Sequence, residues 1–154
     1  MNSESSFEAS CDLFQSESNQ LQNIIDVISK PKKLTISQIV ESYYQVMKVS
    51  SISKLLKESF QSSINPKHQD LIHQINDVQK QIVEEFNTKL HPLIVSQLTY
   101  SIQSYTDILQ SLSKETGQKS NETIETEANQ YKELRELMST KEFVIQYEHG
   151  LKND

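Results

Sequence analysis

Apolar residues in this chain fall in rows three, four and seven apart, with polar residues between them, and they rarely alternate one for one. That period matches the 3.6-residue helical turn and not the two-residue strand repeat, so the pattern predicts helices throughout. The first row is Phe7, Phe14, Leu21 and Ile28, seven apart. Ile24 and Ile25 fill the intermediate position late in the row, whereas Cys11 and Ser18 fill it poorly early on. This predicts a marginal amphipathic helix over residues 10–29, preceded by a disordered, acidic, Ser-rich tail over residues 1–9. Lys30-Pro31 then stops the helix, because proline lacks the N–H that a helix interior needs.

Thr35-Ile36-Ser37-Gln38 has the form of a capping box, with Thr at the N-cap and Gln three residues on. Behind it Ile36, Ile39, Val40, Tyr43, Val46 and Met47 keep helical spacing. Ser50-Ser51 is expected to weaken that helix, and Ile52, Leu55, Leu56 and Phe60 resume the apolar face. Asn65-Pro66 is a strong start signal, an N-cap followed by the residue favoured at the first helical position. The row Leu71, Ile72, Ile75, Val78, Ile82, Val83, Phe86 and Leu90 follows, and His91-Pro92 is expected to punctuate it. Ile94, Leu98, Ile102, Tyr105, Ile108, Leu109 and Leu112 mark another helix, with Gly117 in the polar loop after it. The last helix is expected over residues 121–149, capped by Asn121 and ended by Gly150. Its Ile124, Tyr131, Met138 and Ile145 stand seven apart with Ala128, Leu134 and Leu137 beside them, a seam of three heptads.

The fold class read from this pattern is all-α: an elongated helical hairpin or bundle over residues 35–115 with a C-terminal coiled-coil arm over residues 121–149. Composition agrees. The chain has 154 residues, two Gly, three Pro and no Trp, far from the Gly and Pro usage of about 7% and 5% that many-stranded folds draw on for turns. Only 35% of residues are hydrophobic, below the roughly 45–50% usual for globular chains. Stripes this narrow imply a core completed against a partner.

The net charge of −6 disfavours direct contact with nucleic-acid phosphates. Its distribution is uneven: residues 1–29 carry five acids and no Lys or Arg, residues 30–90 are net +3 and residues 91–154 net −4. No apolar run approaches the roughly 18 residues of a membrane span, and the acidic start has no apolar signal core. The expected location is therefore nuclear or cytoplasmic. The cluster Lys30, Lys32 and Lys33 is a candidate nuclear-localisation signal and equally suits a solvated hinge.

Candidate chemistry is sparse. Cys11 is the single cysteine and no CxxC or HExxH pattern occurs, so no metal site or disulfide is expected. His68, His73, His91 and His149 are expected to be exposed or at the edge of the core. Glu84 and Glu85 are helix neighbours pointing about 100° apart and do not converge on a substrate. No Gly-rich phosphate loop or GxSxG elbow is present. No cofactor and no enzymatic activity are expected.

One stretch carries a resemblance. Residues 34–47 form an amphipathic helix, a short step leads to Lys54-Leu55-Leu56-Lys57-Glu58-Ser59-Phe60, and a later helix ends in Gln81-Ile82-Val83-Glu84-Glu85-Phe86. This order resembles the polyamine-modulated factor family, the helical kinetochore subunits of the MIND complex, over about half the chain. Residues 91–101 depart from the Asn-Glu-Leu-Asp-like stretch of that family. The resemblance implies a nuclear scaffold subunit of a helical hetero-oligomer with no catalytic residues. The alternative is a subunit of a cytosolic vesicle or organelle-positioning complex. In either reading the partners are other helical proteins, met at Ile124, Tyr131, Leu134, Met138 and Ile145.

Overall fold

The computed structural model describes residues 3–28, 33–114, 117 and 120–153, and every regular element among them is helical. The elements are α1 (Ser3–Ile28), α2 (Ile36–Phe60), α3 (Pro66–Glu85), a π-helical segment (Phe86–Leu90), α4 (His91–Ser113) and α5 (Asn121–Asn153). The chain divides into two compact units, residues 1–92 and residues 93–154. The expected single core over residues 35–115 is thus replaced by a boundary inside α4.

In the first unit α1 packs on α2 and on α3, and α2 packs on α3. Side-chain contacts fix the directions. Phe7, near the start of α1, meets Phe60 at the end of α2 edge-on with ring centres 4.8 Å apart, and stacks on His68 at the start of α3 at 4.0 Å. Halfway along α1, Gln45 of α2 donates to Glu17 Oε2 at 2.6 Å. Toward the other end Gln22 of α1 donates to Glu85 of α3, and Tyr43 of α2 meets Phe86 edge-on at 5.1 Å. The unit is an up-down-up three-helix bundle.

The tail expected over residues 1–9 is helical from Ser3, and Phe7 is only 2% exposed. Phe7, Phe14, Leu21 and Ile25 all lie in the core, so α1 is a full member of the bundle. Its acidic, Ser-rich composition belongs to the wet face, and burying two phenylalanines outweighs the weak positions at Cys11 and Ser18. Met1, Asn2 and the hinge with Lys30 and Lys32 lie outside the described residues.

Local signals explain most boundaries. Thr35 and Gln38 form the reciprocal box: Gln38 N–H donates to Thr35 Oγ1 at 3.1 Å and Thr35 N–H to Gln38 Oε1 at 3.0 Å. Asn65 accepts from Lys67 N–H at 3.0 Å ahead of Pro66. Ser50-Ser51 does not interrupt α2, because Ser50 Oγ donates back to Val46 O at 3.0 Å and so stays inside the helix. Gln69 Nε2 donates to Phe60 O and Ser63 O at 3.0 and 3.1 Å, tying the start of α3 to the end of α2 and the loop between them.

His91-Pro92 does not end the helix. Pro92 has no N–H and its ring crowds the carbonyl four residues back. The turn before it widens to the π form, in which His91 N–H bonds Phe86 O five residues away. Phe86 and Leu90 are fully buried in this segment. Two further boundaries differ from expectation. Ser120 caps α5 in place of Asn121, accepting from Thr123 N–H at 3.2 Å. Gly150 is carried within α5, whereas Gly117 holds the left-handed φ of 122° that a turn requires.

Two expected outcomes follow for this bundle. Phe7→Ala should lower unfolding stability by about 3–5 kcal/mol, the range for deleting a buried ring; a tail residue would change it by at most about 0.5 kcal/mol, and denaturant melts separate the two. The second outcome concerns acid. The Gln45 amide, with Lys48 at 3.3 Å, holds the Glu17 carboxyl below its ordinary 4.5, against the opposing effect of burial. A lowered carboxylate contributes stability that is complete above its unfolded pKa and is lost as pH falls through its folded one. The difference in thermal midpoint between wild type and Glu17→Gln should therefore be constant near neutrality and shrink below pH 4.5; a gap that holds unchanged down to pH 3 would contradict this role.

Candidate functional site

Three places gather chemistry-bearing side chains. The first is at the Phe7 end of the bundle, where Phe7, Cys11, Asp12, Lys67, His68 and Leu71 border a cavity of about 310 Å³. His68 is buried, its Nδ1 shares a hydrogen bond with Ser63 Oγ at 2.9 Å, and its Nε2 has no partner among the described residues. Burial, then the charges of Asp12 and Glu8, raise the Cys11 thiol above its ordinary value. A thiol held protonated is a poor nucleophile, so this cavity carries no activated attacking group.

The second is the Tyr43–His91 pair, whose phenol oxygen and Nδ1 lie 2.5 Å apart in the core beside Phe86. The expectation that the histidines are exposed holds for His73 and His149 and fails for His68 and His91. Each buried ring is stacked or edge-on against an aromatic, and each has an oxygen partner for Nδ1. Both are satisfied as packing elements on at least one nitrogen. Glu84 is exposed while Glu85 turns to Lys89 and Gln22, so the two carboxylates diverge. Among the described residues no three His, Cys, Asp or Glu side chains converge to hold a metal ion, and no helix is long and apolar enough to cross a membrane.

The third is α5, a single helix of 33 residues. Leu137 and Val144 are buried, 7% and 0% exposed, and Leu134 is half-buried between their row and the next. The row one position on remains in water: Ile124 is 53% exposed, Tyr131 44% and Met138 54%, while Ile145 is half-buried. Of the residues expected to share one seam, Ile124, Tyr131 and Met138 are exposed, while Leu134, which lies between the two rows, and Ile145 are half-buried. The rows are about 100° apart round the helix. At its C-terminal end the outward row enters a groove of about 500 Å³, where Met138 and Ile145 of α5 face Ile102 of α4 among Lys141, Gln146 and His149. The sequence spacing showed one apolar seam on α5 with Leu134 and Leu137 beside it, but not which residues were covered, nor that Ile102 would come beside Met138. Lys33, the described member of the basic cluster, is exposed.

No protein-family model, no curated protein and no solved structure matches this chain.

The contrast between the rows is measurable. Leu137→Ala should reduce stability by about 2–5 kcal/mol, whereas Met138→Ala should change it by no more than about 0.5 kcal/mol. Comparable losses in both would show that the outward row is core.

Proposed function

We propose that this chain is a non-catalytic helical scaffold subunit, and that it joins other helical proteins in a hetero-oligomer through Ile124, Tyr131, Met138 and Ile145. The observation that carries the reading is the solvent exposure of this apolar row directly beside the buried Leu137 and Val144. Water-exposed apolar rows at heptad spacing are the surfaces on which helices pair, and tyrosine and methionine are enriched in interface cores. A partner helix laid along the row would turn α5 into one strand of a coiled coil.

The assembly is the finer part of the proposal. The helical order of residues 34–86, similar to the polyamine-modulated factor family, favours a kinetochore-type complex, with Lys30, Lys32 and Lys33 as the import signal. A cytosolic vesicle or organelle-positioning complex is the alternative, and live-cell localisation separates them.

Tyr131→Asp with Met138→Asp should abolish co-purification of partners from cells while the circular dichroism spectrum keeps its helicity. Recovery of the full partner set by this double variant would sink the interface, and collapse of helicity in residues 35–115 would show the row to be internal core.

A further inference from the structure

The charges beside the outward row say what kind of helix it takes. Positions one and four residues after a row member lie on the same side of it, about 100° and 40° round, and positions one residue before lie on the other. The second side is the inward row of Leu137 and Val144. The first side carries Glu125, Lys132, Arg135 and Glu142, all exposed. None of these four enters an ion pair among the described residues. Read along α5 the order is acid, base, base, acid, at spacings of seven, three and seven, and it is the same from either end.

That symmetry decides against a second copy of this chain. A two-fold dimer places a surface patch on itself. With helices antiparallel, Glu125 would face Glu142 and Lys132 would face Arg135. With helices parallel and in register, the two-fold axis would carry each charge to the opposite flank, where it meets the side of Leu137 and Val144 and finds no charged partner. The antiparallel arrangement sets like charges across the seam, which destabilises helix pairs, the parallel one leaves the four charges without partners, and two chains of net charge −6 repel at longer range as well.

We infer that the outward row of α5 takes a helix of a different protein, one carrying base, acid, acid and base at spacings of seven, three and seven beside its own heptad apolar row. The inference rests on the interface reading above and adds the charge code of the partner. Because the order is palindromic, the code holds for a parallel or an antiparallel partner. The groove at Ile102, Met138 and Ile145 receives an apolar side chain of that helix, as helix-in-groove recognition uses anchors at heptad spacing. The flanking charges exclude wrong partners and set register more than they add affinity.

The test uses the full chain and two synthetic helical peptides of three heptads. They share one apolar row and differ only in flanking order, base-acid-acid-base in one and acid-base-base-acid in the other. Fluorescence anisotropy at low salt should show the first binding about tenfold tighter, the product of four weak flanking pairs. The preference should vanish at 1 M NaCl, where the screening length is about 3 Å. Lys132→Glu with Arg135→Glu, both on exposed positions and checked for helicity by circular dichroism, should erase the preference or reverse it. Equal binding of both peptides at low salt overturns the charge code and leaves the row as an interface. Binding of neither overturns the code and the interface together. Sedimentation of the chain as a dimer that Tyr131→Asp dissolves overturns the code by showing a second copy on the row.

Discussion

The apolar row of α1 has to be covered from two sides, and the architecture of residues 1–92 follows from that requirement. Phe7, Phe14, Leu21 and Ile25 present a continuous stripe that one neighbouring helix cannot hide. α2 and α3 supply the two walls, and the contacts along α1 set them antiparallel and parallel to it. The bundle is thereby closed at one end by the Phe7–Phe60–His68 cluster and at the other by Tyr43, Phe86 and His91. Ser42, buried in this core, meets a partner by donating to Ile39 O at 2.7 Å, whereas Ser18 Oγ and His68 Nε2 are buried without one among the described residues.

Proline acts here through geometry and not as a stop. Pro66 follows the usual rule and opens α3 after its Asn cap. Pro92 stands where the apolar row of α3 passes into that of α4, so ending the helix there would withdraw Phe86 and Leu90 from the core. The π turn keeps both rings of the Tyr43–Phe86 contact in place while releasing the carbonyl that the proline ring would strike. π segments of this kind concentrate at places under special constraint, and in this chain the constraint is the packing of Phe86.

α5 poses a different problem, with more apolar surface than one contact can use. A helix lying against a neighbour hides a face little wider than 100°. Leu137 and Val144 take that face, and Tyr131 and Met138 stay beside it in water. Natural surfaces accept single exposed apolar residues easily, and the proposed interface rests on a row of them at seven-residue spacing with a groove at one end. In that proposal the charges on its open side convert a non-directional apolar contact into one that distinguishes partners.

Much of this was legible in the amino-acid order. Helical spacing, the Thr35–Gln38 box and the Asn65-Pro66 start are local, each decided within four or five residues by backbone hydrogen bonding, and the structure carries them as read. The apolar seam of α5 was equally visible, since seven residues make nearly two turns whatever surrounds them. What local order did not decide is which row meets a neighbour. The order of α1 suggested a frayed tail because its polar face dominates the composition, yet Phe7 finds Phe60 and His68, residues more than fifty positions away. His91-Pro92 looked like a stop because the local rule counts only the lost N–H, whereas the buried Phe86 favours a continuous helix. Leu134 and Met138 share a composition class and differ in burial because α5 turns one side inward. Sequence by itself determined that the chain is helical and where most helices begin, because those are questions of short-range hydrogen bonds. Tertiary structure alone decided which apolar faces are buried and which remain in water, because burial depends on contacts between residues far apart in the chain.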